Sequence, residues 1–99
     1  NDIEFALQIV TLFFEEVPAE IRAIKIAIDE KDYNKAYASS HKIKPTLDLL
    51  GMDLAYEENL QIMTWAKAEG KRKEIKEVFK SLKDRVELAV KEIKKDFKL

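Results

Sequence analysis

Between Ile75 and Phe97 the apolar residues Ile75, Phe79, Leu82, Val86, Ala89, Ile93 and Phe97 recur at intervals of four, three, four, three, four and four. That is the period of an α-helix with one apolar stripe, and the lysines and glutamates between form a solvated face. Such a helix has to bury its stripe against other elements. Sheet elements are disfavoured, because the 99 residues contain only two Gly and two Pro. A β-domain turns every ~8–12 residues and needs more of both, whereas a helical bundle needs few connections.

The rest of the chain reads the same way. Asp2 opens a helix to about Glu16 with Phe5, Ile9, Leu12 and Phe13 at helical spacing. Pro18 suits the first turn of a second helix to about Glu30, carrying Ile21, Ile24 and Ile28. The sequence equally allows one helix kinked at Pro18. Asp32 is a good N-cap for a helix that stops near Gly51, Asp53 for another over 54–69 ended by Gly70, and a last helix runs from about Lys71 to Phe97. Short connections between long helices make neighbours antiparallel. The expected fold is a single all-α domain over residues 1–99: an antiparallel up-down four-helix bundle with an additional short N-terminal helix. Trp65 is expected in its core.

Composition excludes several functions. With 18 basic and 19 acidic residues the formal charge is −1, which gives no basic face for nucleic acid. No apolar run approaches the ~20 residues of a membrane span. Without cysteine there is no disulfide scaffold, thiolate nucleophile or zinc-thiolate site, a composition compatible with the cytoplasm. No signal peptide is evident, and the sequence starts with Asn rather than Met.

The stretch HKIKPTLDLLGM, residues 41–52, holds the only histidine and, four residues on, a proline inside an expected helix. On a helical wheel Ala36, Ile43, Leu47 and Leu50 form the core stripe, and His41 lies roughly 150° from its centre. Asn34, Tyr37, Ala38, Lys44, Pro45 and Asp48 share that outer face. A metal site needs converging ligands, and there is no second His and no Cys. A di-metal bundle uses Glu-x-x-His, but Ala38 stands three before His41. Ser39 and Ser40 are helix neighbours of His41 and cannot meet its imidazole as a triad nucleophile would.

What is left is the imidazole as nucleophile. A free imidazole titrates near neutrality and offers an uncharged nitrogen at physiological pH. A phosphoryl group on it needs compensating charge, and Lys44, one turn away on the same face, is placed to supply it. Pro45 removes the N–H that would bond the His41 carbonyl, and so bends the helix beside the imidazole.

His41-Lys42-Ile43-Lys44, with Gly51 ten residues after the histidine and small residues Ala38-Ser39-Ser40 before it, resembles the histidine-containing phosphotransfer (HPt) domain family, whose motif is roughly H-x-L-K-G-x(5)-G on the second helix of a four-helix bundle. The opening IVTLFFEEVPAEI and the entry IAIDEKDYNKAYASSHKIK are similar to that family's first helices, and the resemblance covers about residues 3–97. It implies that His41 accepts a phosphoryl group from a receiver-domain aspartyl phosphate and passes it to another receiver. Lys44 stabilises the phosphoryl group, and Gly51 is structural. The chain is then a phosphocarrier with no ATP site, not an enzyme with its own turnover. It has no cofactor of its own; Mg²⁺ sits on the receiver. Its partners are response-regulator receivers and, in some systems, a hybrid sensor kinase, with no nucleic acid and no membrane insertion. Its charged last helix suggests a monomer.

Two positions depart from the family. Pro45 stands where glycine usually follows the lysine, and Met63 where many members have a glutamine reaching the histidine. Gln61 and Asn59 are the nearest polar substitutes. A receiver also needs apolar surface around His41. Phe13 and Phe14 of the crowded first helix, with Tyr37, Ala38, Pro45 and Asp48, are the expected docking residues. Two other functions fit the same sequence: an HPt-like module that docks a receiver without being phosphorylated, and a purely structural helical bundle.

Overall fold

The computed structural model describes residues 2–97, and these are helical except at three short connections. Four helices follow in order: α1 Asp2–Glu30, α2 Tyr33–Leu49, α3 Asp53–Lys67 and α4 Arg72–Phe97. The additional short N-terminal helix is not a separate element. Residues 2–16 and 18–30 form one 29-residue helix with Pro18 inside it, and α2 likewise runs through Pro45.

All three connections stop their helix in one way. Lys31, Gly51 and Glu69 take positive φ of 56°, 67° and 51°. In each case that residue's N–H and the next bond back to the last turn: Lys31 to Ile28 O and Asp32 to Ala27 O, Gly51 to Asp48 O and Met52 to Leu47 O, Glu69 to Ala66 O and Gly70 to Trp65 O. These six bonds satisfy carbonyls that a helix end would otherwise leave unpaired. At the first two connections the residue after the stop is the cap of the next helix, whereas Gly70 and Lys71 separate the third stop from α4. Asp32 caps α2 by accepting from the Lys35 N–H at 3.1 Å. Met52 occupies the cap position of α3 without a side-chain bond, so Asp53, expected as the cap, lies in the first turn instead. Its charge still favours that end of the helix dipole.

Helix α1 packs on α2 and α4, α2 on α3, and α3 on α4. Phe13, Val17 and Ile24 of α1, Ala36, Ile43 and Leu47 of α2, Ile62 of α3 and Leu82 of α4 are completely or almost completely buried between them. Trp65 joins this core; its indole N–H donates to Lys71 O at 2.9 Å and its ring packs on Tyr33 at 5.1 Å. The 29 and 26 residues of α1 and α4 exceed the 17 and 15 of α2 and α3. At ~1.5 Å per residue α1 alone accounts for the 43 Å length of the molecule.

Candidate functional site

Helix α2 packs between α1 and α3, and that decides which of its side chains reach solvent. Ala36, Ile43 and Leu47 face the core with no exposed area. Its flanks carry small polar residues, and Ser39, Ser40 and Thr46 are buried as well. On the α1 side Lys42 pairs with Glu20 at 3.1 Å. On the α3 side Asn59 Nδ2 donates to the Ser40 carbonyl at 2.8 Å. What remains is one strip along the helix: Ala38, His41, Pro45 and Asp48 exposed, with Tyr37 and Lys44 half-buried at its edges.

His41 stands in the middle of this strip. The Tyr37 ring, one turn earlier, stacks on the imidazole with centroids 6.0 Å apart and planes inclined by 23°. Lys67 of α3 places its Nζ over the other aromatic partner of this pair, 5.1 Å from the Tyr37 centroid. Lys44, one turn after His41, has no ion-pair partner among the described residues, whereas Lys42 does. Burial raises the Glu20 carboxyl, but hydrogen bonds from Lys42 and Ser39, with the charges of Lys42 and Lys35, outweigh it and hold the group below its ordinary value. Of the two lysines flanking Ile43, therefore, Lys42 is committed to holding α2 on α1 and Lys44 is available to an incoming anion.

Several expected residues sit elsewhere. Phe13 has no exposed surface and belongs to the core, so it cannot touch a partner. Its spacing fits the buried stripe that continues through Val17, Ile21 and Ile24. Phe14 is half-buried with its ring 5.9 Å from that of Phe13. Met63 is buried. Asn59 is committed to the Ser40 carbonyl and fully buried, so it does not meet the imidazole. Ser39 and Ser40 are buried and cannot present a hydroxyl to a substrate.

Two further residues border the strip, Leu49 and Lys67. Leu49 is 58% exposed, and with His41, Pro45 and Asp48 it completes an i, i+4, i+7, i+8 pattern that the sequence does display. Lys67 reaches the strip only through the packing of α3 on α2, and nothing in its own segment announces that.

Among the described residues no group of three or more His, Cys, Asp or Glu is arranged to hold a metal ion. No helix there is long and apolar enough to cross a membrane. Comparison with family models, with curated proteins and with solved structures gives no match to this chain.

Proposed function

We propose that the chain is a histidine phosphotransfer module of a two-component phosphorelay, built as an antiparallel up-down four-helix bundle and working in the cytoplasm as a monomer. The bundle reading is supported by residue pairs such as Glu20 with Lys42, Ser40 with Asn59, and Glu58 with Arg85, which join consecutive helices, and by Arg72 Nη1 donating to the Asp29 carbonyl between the last helix and the first. The functional reading rests on one observation above all: the single histidine lies exposed between Ala38 and Pro45 on the outer strip of α2, with Lys44, which makes no ion pair among the described residues, one turn away.

The transfer itself asks little of this chain beyond position. An unprotonated nitrogen of His41 attacks the phosphorus of an aspartyl phosphate on a receiver. The N–P bond forms as the P–O bond to the aspartate breaks, the carboxylate leaves, and the proton stays on the other imidazole nitrogen. Lys44 offsets charge on the phosphoryl oxygens, Tyr37 restricts the ring, and the receiver brings Mg²⁺. Exposed Ala38 and Pro45 leave room for the receiver to approach, with Tyr37, Phe14, Asp48 and Leu49 at the rim of the contact. Return of the phosphoryl group to a second receiver is the same step reversed.

One observation favours a second reading, a module that docks a receiver without being phosphorylated: at the family's glutamine position Met63 is buried, and Asn59 is committed to the Ser40 carbonyl. The deciding experiment is transfer from a radiolabelled phosphorylated receiver to wild type and to His41→Gln. We expect label on wild type only, labile to acid and stable to base. Binding without label supports the docking module; neither label nor binding leaves a structural bundle.

A further inference from the structure

Lys67 lies over the face of the Tyr37 ring, which also stacks on His41. It is exposed and makes no ion pair among the described residues. A lysine as exposed as Lys67 is held over an aromatic ring by only ~0.5–1 kcal/mol, so a nearby anion outcompetes the ring. Tyr37 thus links a cation of α3, Lys67, to the imidazole, while Lys44 lies one turn after His41 on α2.

We propose that Lys67 is a second phosphoryl-binding cation, kept on the Tyr37 ring while His41 is unmodified and released to the phosphoryl oxygens once His41 carries them. This rests on the phosphotransfer reading for its biological meaning, but its chemistry requires only a phosphorylated His41. The device suits a carrier. A dianion on an exposed imidazole is screened by water, and one lysine leaves some of its oxygens uncompensated. A cation held by the same ring that stacks on the imidazole is already at hand, and its ordering cost is partly met beforehand. The other charged groups about His41 are Lys44 and Asp48 on its own helix and the Lys42–Glu20 pair towards α1, which is closed on itself.

Potassium phosphoramidate tests this without any receiver. It phosphorylates an accessible imidazole directly: the N–P bond to His41 forms, the P–N bond of the reagent breaks, and ammonia leaves. The ³¹P resonance is then titrated through the second ionisation of the phosphoryl group in wild type, Lys67→Met, Lys67→Arg and, as a charge-matched control on the last helix, Lys76→Met. A nearby cation holds that ionisation down. Lys67→Met is therefore expected to raise the midpoint by about 0.4 pH unit, the size of one exposed ion pair. Lys67→Arg and Lys76→Met stay with wild type, and the difference vanishes at high salt. A Lys67→Met midpoint equal to that of wild type, or a shift equally produced by Lys76→Met, overturns the proposal. Failure of every receiver to transfer label, with the titration behaving as expected, would instead count against the phosphorelay reading alone.

Discussion

Asn59 of α3 donates its side-chain amide to the carbonyl oxygen of Ser40, the residue immediately before His41, across 2.8 Å of fully buried space. This bond ties α2 to α3 beside the histidine, and the buried stripe of Ala36, Ile43 and Leu47 keeps His41 on the outside. The same pair leaves Ser40 Oγ and Asn59 Oδ1 buried with no partner. The two side chains should therefore respond in opposite ways. Asn59→Ala removes the donor to a buried carbonyl and is expected to cost about 2 kcal/mol, while Ser40→Ala removes an unsatisfied hydroxyl and is expected to be neutral or stabilising by up to ~1 kcal/mol. Urea unfolding of both variants checks this; a Ser40→Ala loss as large as that of Asn59→Ala would show the hydroxyl to be satisfied after all.

The turn before α4 makes a second contrast. Gly70 ends a helix in the sequence reading, yet the left-handed residue is Glu69, at φ 51°. Glycine is needed at 70 for room: a Cβ there would lie 2.4 Å from Trp65 Cδ1 and 2.6 Å from Nε1. The indole cannot yield easily, because Lys71 O and the Tyr33 ring hold it and the Tyr33 hydroxyl donates to Gly70 O at 2.8 Å. Gly70→Ala is expected to cost roughly 2–3 kcal/mol through overpacking and to shift the Trp65 emission. Glu69→Gly relieves the backbone and is expected to be neutral or to gain up to ~1 kcal/mol, less whatever flexibility it adds to the unfolded chain.

These two turns show where the sequence is readable. The periodic stripes locate α4 and the core face of α2 because burial repeats with the helix, and Asp32 marks a boundary because its carboxylate bonds the first turn. Residues 2–30 are harder. Proline usually interrupts a helix, but apolar spacing carried from Phe13 through Val17 to Ile24 keeps the element continuous, and tertiary burial overrides the local signal. The site divides in the same manner. The exposure of His41 and the position of Lys44 follow from the wheel of one helix, whereas Tyr37 against His41, Lys67 over Tyr37 and Asn59 under Ser40 depend on rotamers or on the packing of α3. Aromatic crowding in α1 suggests a docking role for Phe13, but its angular position places it on the buried stripe.

The Glu20–Lys42 pair predicts a pH dependence of stability. Burial pushes the Glu20 carboxyl up, but the bonds and charges that favour its ionised form win, so its folded value lies below its unfolded one. Its contribution is therefore complete above the unfolded carboxylate value and is lost as pH falls through the folded one. Lys42 is raised, first by its hydrogen bond to Glu20 and then by that charge, against desolvation. Its contribution is present below the unfolded lysine value and is lost as pH rises through the folded one. Wild type should exceed Glu20→Gln in urea midpoint at neutral pH, and the gap should close towards both extremes. A gap constant from acid to alkaline pH would mean that the carboxylate charge plays no part.

Pro45 lies inside α2, exposed, one turn after His41. Having no N–H, it leaves the His41 carbonyl without its partner four residues on, and an interior proline is about 3 kcal/mol less favourable than alanine in a helix. Part of that is offset because proline also restricts the unfolded chain, by ~0.4–1 kcal/mol. Pro45→Ala is expected to stabilise the protein by about 1–2 kcal/mol, a rise of several degrees in thermal midpoint for a domain of this size. Pro18→Ala in α1 serves as the comparison, since it restores a helix bond away from the histidine. If Pro45 sets how the imidazole is presented, Pro45→Ala will slow transfer to His41 by more than any change in receiver affinity accounts for, and Pro18→Ala will not. Equal transfer in both variants would make the proline a feature of helix packing, and Lys44 with the Tyr37 stack would then be sufficient to present the ring.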